Sequence, residues 1–335
     1  MALKKYKKVG IVLSGGFFKG AFLVGAVSAL DDFLRKNGIK ASYIVGSSVG
    51  ALVGAKAASG DFDGLLSGWR GLSRKDIWRL NWLEFKKIFF WKFRSFFSNA
   101  PLRNLLKKHV DFDALIHSPV DFEILTVALQ EGDGKIFGNR QTPDAEYLLE
   151  ALVASCAIPQ MFTPSQIGDS QFADGGGDRK TPLNYAMKAG CDLIFVLAVD
   201  PEVIKTKVKF GNIFDVKKRF DEIRNNRNLR DDFKRAEEIN NDIRARRTEI
   251  SKLLRLLKSG KCDKKTRKNL MEIFEQSNFS FKKRREVKIV MIRPPFRLSK
   301  GMKITFTKKY IEKGIMLGQK ITEKILREEF QTSRQ

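Results

Sequence analysis

Ser48 stands at the centre of Gly46-Ser47-Ser48-Val49-Gly50, a G-x-S-x-G pentapeptide preceded by the apolar Ala41–Val45 and followed by the helix-like Ala51–Ser59. Strand, sharp turn and helix in that order are what a nucleophile elbow needs. The two glycines let backbone segments meet where side chains would collide, and the serine hydroxyl projects beside a helix start whose N–H groups can hold developing negative charge. A Gly/Ser-rich run is equally the composition of an ordinary turn, so the pentapeptide alone leaves both readings open.

Two further glycine-rich stretches could join such chemistry. Gly15-Gly16-Phe17-Phe18-Lys19-Gly20 links the apolar Val9–Leu13 to an apolar helix over Ala21–Leu30. Phe17 breaks a dinucleotide fingerprint, and Ala21 after Gly20 breaks a Walker loop, so nucleotide binding is disfavoured. N–H groups at such a turn suit an oxyanion hole, and Lys19 would add positive charge at the same place. Phe172-Ala173-Asp174-Gly175-Gly176-Gly177 sets a carboxylate at a strand end, where glycines allow close approach to another backbone; an Asp-Gly turn has the same composition. The chain has only two histidines, His109 and His117, and neither sits in a segment resembling a catalytic loop. A nucleophilic Ser48 would therefore need a base other than histidine.

The elements that must position these residues read as alternating strands and helices. Strands are expected at Lys7–Leu13, Phe122–Leu129, Leu193–Val199 and Val287–Ile292, with a helix over Tyr147–Ala154 leading into Ser155-Cys156-Ala157-Ile158-Pro159. An amphipathic helix over Lys309–Phe330, with Ile311, Ile315, Ile321 and Ile325 on one face, is expected to pack back on the core. Between Trp69 and Phe97, rings such as Trp78, Trp82, Phe89 and Trp91 are interleaved with Arg79, Lys86, Lys87 and Lys92. That density suits either an interfacial segment or a cap over the cleft.

At 335 residues and 43% hydrophobic content the chain can bury a substantial core. A formal net charge of +25 points to a phosphate-rich partner, an anionic membrane or nucleic acid. The charge concentrates in Lys205–Val290, with 27 Lys/Arg against 13 Asp/Glu and little apolar periodicity before Ile250–Leu257. This stretch reads as a basic helical insertion, with a hairpin around Ser259-Gly260 and a solvated face as the default. The expected organisation is a discontinuous catalytic domain over 1–204 and 286–330 interrupted by the insertion at 205–285. No nucleic-acid motif accompanies the charge, so nucleic acid is the disfavoured partner. Three cysteines without a CxxC pair argue against zinc or a disulfide framework and fit a reducing, cytoplasmic compartment. The short apolar run Val9–Leu13 is not a signal peptide, and no stretch approaches a membrane span, so a soluble or peripheral protein is expected.

Taken in order, these motifs resemble the patatin-like phospholipases. The glycine-rich element ending in Lys19-Gly20, the pentapeptide Gly46–Gly50, Ala154-Ser155-Cys156-Ala157-Ile158-Pro159 and Asp174-Gly175-Gly176 match four family motifs, and Pro101-Leu102-Arg103 looks like the family's helix start. The resemblance covers about Lys7–Pro201, with Val287–Phe330 completing the domain. It implies a three-layer α/β/α fold related to α/β hydrolases, with a largely parallel central sheet. It further implies a Ser-Asp dyad: Ser48 as nucleophile, Asp174 as base, and backbone amides of Gly15, Gly16, Phe17, Phe18 and Lys19 as the oxyanion hole. The chemistry implied is lipid-ester hydrolysis through an acyl-enzyme, of phospholipase A or lysophospholipase type, at a membrane surface. The alternative is a catalytically weak protein of the same fold that binds anionic membrane or another partner through its basic insertion. No cofactor or metal is expected, since nothing resembles a calcium loop. Two positions depart from the family pattern: Phe17 replaces a glycine, which at positive φ would strain the turn by about 1–2 kcal/mol, and Lys180 precedes Thr181-Pro182.

Overall fold

A computed structural model of the chain describes residues 3, 5–73, 76, 95–141, 143–202, 210–211, 213–258, 268–269, 272, 286–298 and 307–331. The strands are β1 (Val9–Leu13), β2 (Tyr43–Ser47), β3 (Asp121–Ala128), β4 (Asp133–Gly138), β5 (Ser165–Ile167), β6 (Ser170–Asp174), β7 (Leu193–Leu197) and β8 (Lys288–Ile292). The helices are α1 (Gly20–Lys36), α2 (Val49–Ala58), α3 (Phe62–Gly71), α4 (Ala100–His109), α5 (Phe112–Ile116), α6 (Ala145–Ser155), α7 (Leu183–Lys188), α8 (Ile213–Lys258) and α9 (Lys308–Gln331).

The strands form one sheet in the order β5-β6-β3-β2-β1-β7-β8, with β4 paired to β3. Pairing is parallel from β3 through β2, β1 and β7 to β8, and antiparallel among β3, β4, β5 and β6. The central strands β1, β2 and β7 are buried along their whole length, because helices cover both faces. On one face Ile11, Leu13 and Phe195 pack with α1, α2, α6 and α9; on the other Val12, Val45 and Val196 pack with α7 and Leu229 of α8. The three-layer α/β/α arrangement with a mostly parallel sheet is therefore present. The expected strands and the α6 and α9 helices appear with ends moved by a few residues.

The C-terminal helix α9 completes the first layer, with Ile311 and Ile315 fully buried and Ile321 and Ile325 half-buried against the core. Glycines allow it to cross α1 closely: a Cβ on Gly25 would lie 1.9 Å from the Ile315 carbonyl oxygen, and one on Gly318 would lie 2.1 Å from that of Phe22. In the basic stretch, α8 is anchored earlier than the sequence reading held. Leu229, Ala236 and Ile243 are buried at seven-residue spacing, and Arg179 Nη1 donates to the Asp232 carboxylate at 2.9 Å. Phe233 packs beside them, and Asn240 exchanges two hydrogen bonds with the Val287 backbone, so polar contacts supply much of the rest of the anchoring. The hairpin expected at Ser259-Gly260 and the aromatic-basic residues 77–94 lie outside the described residues. The described ends of the aromatic stretch are built into the fold: Trp69 packs against the core and Phe97 bridges to Phe162.

Among the described residues, no helix is long and apolar enough to cross a membrane.

Candidate active site

The register of β3 brings the two key residues together. At Glu123–Leu125, β3 pairs with β2 on one edge and β4 on the other; at Thr126–Ala128, β4 continues while β6 takes over the edge β2 has left. Leu125 faces Ser47, and the next residue, Thr126, faces Asp174. The chain leaves β2 at Ser48 just where β6 delivers Asp174 into line with it.

The elbow itself is tight. Ser48 adopts φ 54° and ψ −129°, a strained conformation for a non-glycine residue, and caps α2. A Cβ on Gly46 would lie 2.5 Å from the Ala51 nitrogen, and one on Gly50 would lie 2.3 Å from the Leu13 carbonyl oxygen. Ser155 holds the turn from below: its buried Oγ accepts the Ser48 N–H at 2.8 Å and donates to the Leu125 carbonyl at 2.7 Å. One hydroxyl thus ties the elbow to the strand that sets the register.

Asp174 is buried at the end of β6, and Gly176 donates its amide to Oδ1 at 2.7 Å. Burial pushes the carboxyl up to about 6, against the opposing pull of the Ser48 hydroxyl, the Gly176 amide and the Lys180 charge. The Ser48 hydroxyl is close enough to favour the charged form, yet Oδ2 is buried without a hydrogen bond of full geometry. Such contacts are often loose until substrate is bound. Cys156 adjoins the same pair; burial, with the Asp174 charge second, pushes its thiol well up and keeps it protonated.

The glycine-rich turn carries Phe17 at φ 51°, so the glycine it replaces stood where a side chain costs energy. Gly16 must be small, because a Cβ there would lie 2.5 Å from Val199 Cγ2. The five amides expected to hold an oxyanion are not equivalent. Gly15 donates its amide to the Lys180 carbonyl at 2.7 Å and Lys19 donates to the Gly16 carbonyl at 3.1 Å, which commits both. The Gly16 amide makes no hydrogen bond among the described residues, and neither does that of Val49 at the start of α2. Lys19 does not lend its charge to the turn as expected: it pairs with Asp200, which also pairs with Lys180. Burial works against the Asp200 charge, but Lys180 and Lys19 together hold the carboxyl well below the usual range. The turn is also fixed from α9, where the Tyr310 hydroxyl donates to the Phe18 carbonyl at 3.0 Å.

Ser48 and Phe17 are shared by two cavities that differ in their charged lining. One, of about 120 Å³, runs over α2, α3 and α4 and is lined by Leu52, Leu65, Trp69, Leu102 and Leu106. The other, of about 590 Å³, holds Asp174, Lys180 and the α8 residues Lys217, Asp221, Arg224 and Asn225. A hydroxyl that lines two cavities beside a buried carboxylate, with an apolar slot on one side and a recess bearing Lys180, Lys217 and Arg224 on the other, can cleave an ester that joins an apolar chain to a polar group.

His109 lines the apolar cavity and His117 is an exposed residue bonded to Asp113; among the described residues neither hydrogen-bonds to Ser48 or Asp174. No group of three or more His, Cys, Asp or Glu among the described residues could hold a metal ion. From sequence, Ser155 stands out only as part of a motif and Asp200 only as the residue that ends a strand. Ser155 carried a signal, a serine beside Cys156-Ala157-Ile158-Pro159; Asp200, at the end of β7, carried none.

The crystal structure of VipD from Legionella pneumophila aligns over 96% of this chain and 67% of its own, at 11% identity and a TM-score of 0.37, a likeness too distant to carry an argument. The patatin-like phospholipase family model matches residues 11–187, more than half of the chain, from within β1 to within α7 and including both turns and the Asp-Gly-Gly segment, and the protein belongs to that family.

Proposed function

We propose that this protein is a serine acyl hydrolase of lipid esters, of phospholipase A or lysophospholipase type, with Ser48 as nucleophile and Asp174 as base. The observation that carries this reading is the Ser48 hydroxyl, set between an apolar and a cationic cavity and beside a buried carboxyl poised at about 6. Family membership supports lipid acyl hydrolysis in general. Asp174 accepts the Ser48 proton as Oγ bonds to the ester carbonyl carbon, and negative charge gathers on the carbonyl oxygen near Gly16 and Val49. The carbon–oxygen bond to the leaving alcohol breaks, Asp174 returns the proton to that alcohol, and the acyl group stays on Ser48. Water then attacks with Asp174 again as base, releasing the fatty acid. The apolar cavity takes the acyl chain and the cationic recess takes the polar head. Work at an anionic membrane follows from the net charge.

Hydrolysis of a short p-nitrophenyl ester and of a lysophospholipid tests this directly. Ser48→Ala and Asp174→Asn are expected to lose at least about 10³-fold in kcat. A wild type as slow as Ser48→Ala on both substrates, with anionic vesicles present, would sink the reading.

The second reading, a catalytically weak patatin-fold protein binding anionic membrane or another partner through its basic stretch, is favoured by Phe17 at φ 51° and by the commitment of two of the five amides. Phe17→Gly separates the two. A gain of about 10²-fold would match one oxyanion donor restored and would place the weakness in this turn.

A further inference from the structure

The N-terminal part of α8 has two adjoining faces. Lys217, Asp221, Arg224 and Asn225 look into the polar cavity beside Ser48. Ile213, Val216, Phe220 and Ile223 are exposed, Ile213 at 76% and Phe220 at 70%, and Phe210 just before the helix is exposed as well. At about 100° per residue these four fall within one arc of roughly 80° that borders the cavity face and runs for about 15 Å along the helix. Beyond Ile223 the same stripe turns charged at Arg227 and Lys234, so the apolar surface is confined to the end nearest Ser48. Isolated exposed hydrophobics are ordinary, but four in register on a helix are a surface in search of a partner.

Charge identifies that partner. Residues 213–227 carry five basic side chains against three acidic ones; Asp221 pairs with Lys217 and Arg224, and Glu222 with Arg219 and Arg297. A stripe of Ile, Val and Phe flanked by Lys and Arg fits the plane of an anionic bilayer, with the rings below the headgroups and the cations at phosphate level. We infer that the stripe Ile213, Val216, Phe220 and Ile223 is the docking face of this protein for an anionic lipid surface, and that docking brings lipid headgroups to the cationic recess shared by Lys217, Arg224 and Ser48. The purpose of this placement rests on the lipid-hydrolase reading; the docking itself does not.

The test is co-sedimentation of full-length Ser48→Ala protein with phosphatidylcholine vesicles, with and without phosphatidylglycerol. Because the nucleophile is absent, failure of the hydrolase reading leaves this measurement untouched. Ile213→Ser/Phe220→Ser in the same background is expected to lose at least about tenfold in affinity for the phosphatidylglycerol vesicles, with an unchanged thermal melt. Restored to Ser48, the same double variant keeps wild-type turnover of a soluble short ester and loses turnover of vesicle lipid. Phe220→Trp provides a reading independent of loss: its emission is expected to be quenched by brominated lipid beyond the wild-type background. Unchanged vesicle affinity in the double variant, or no added quenching at Trp in place of Phe220, overturns the proposal. Equal affinity for pure phosphatidylcholine overturns its anionic part. A dimer that dissociates in the double variant while vesicle binding persists makes the stripe a face between copies and overturns it too.

Discussion

Two strand-to-helix turns lie side by side at the same end of the sheet, 15–20 after β1 and 46–50 after β2, and they are held in opposite ways. Each sets a non-glycine residue at positive φ, 51° at Phe17 and 54° at Ser48. At the elbow the strained conformation is enforced mainly by close backbone packing. Gly46 and Gly50 sit against backbone atoms on both sides, and Ser155 takes the Ser48 amide. At the glycine-rich turn the restraints come from side chains far along the chain: Lys19 to Asp200, and Tyr310 to the Phe18 carbonyl. Strain persists where the surroundings over-determine it. The elbow is over-determined by packing against backbone, whereas the glycine-rich turn adds to its Gly16–Val199 contact and its Gly15–Lys180 backbone bond two separable polar contacts whose partners, Asp200 and Tyr310, lie beyond the family-matched 11–187. The proposed nucleophile is thus placed by packing within the family-matched stretch, and the glycine-rich turn is held in part from outside it.

The largest contrast is steric. Gly46→Ala places a Cβ about 2.5 Å from the Ala51 nitrogen and from the Gly50 carbonyl, with backbone on every side and nothing flexible to yield. It is expected to cost about 3 kcal/mol or more, a fall of at least about 5 °C in Tm. Gly15→Ala meets nothing nearer than 3.4 Å and should change stability by under about 1 kcal/mol. Thermal melts of the two variants check the difference. Equal losses would mean that the first turn is packed as rigidly as the second.

The same contrast governs what was legible in the sequence. A continuous apolar run such as Val9–Leu13 or Leu193–Leu197 signals a buried parallel strand, and G-x-S-x-G marks the elbow because its glycine requirement is local. Neither β4 nor β5 announces itself: Asp133-Gly134-Lys135 has turn chemistry, and it is strand only because β3 offers an unpaired edge. The anchoring of α8 by Leu229, Ala236 and Ile243 was hidden by the basic residues between them. Ser48 and Asp174 could be named from motifs; their juxtaposition follows from the β3 register, and the Asp200 pairings and the Tyr310 contact join residues whose spacing in sequence carries no signal.

The second prediction concerns the buried base. The Asp174 carboxyl is raised to about 6 from an unfolded value near 4, so the native state holds its proton more tightly than the unfolded chain does. Its contribution to stability is greatest below about pH 4, is lost as pH rises through 6, and leaves a buried charge at neutral pH that opposes folding. Asp174→Asn keeps the acceptor for the Gly176 amide and removes that charge. It is expected to gain about 2–3 kcal/mol over wild type at pH 8, with the gain shrinking toward zero at pH 4. Denaturant melts of both proteins at the two pH values decide it, and a gain equal at both would mean that burial is not what sets this carboxyl. With Asp174 as the proposed base, kcat/KM is expected to rise through about pH 6.

The smallest expected effect probes the separable side of the comparison. Asp200→Asn is nearly isosteric, but it frees Lys19 and Lys180 from their common counter-ion, and with Lys19 the oxyanion turn loses a tether. Ester hydrolysis is expected to fall about tenfold in kcat, some 1.4 kcal/mol, with KM little changed, because a donor displaced from the oxyanion matters most in the transition state. A structural defect alone would give that much. The pH profile is the sharper readout: with the Asp200 charge gone, Lys180 acts on Asp174 less opposed, so the acid limb moves to lower pH. A lower kcat with an unmoved acid limb would reduce Asp200 to a tether. A shifted limb makes it a residue through which the loop after β7 sets the ionisation of the proposed base.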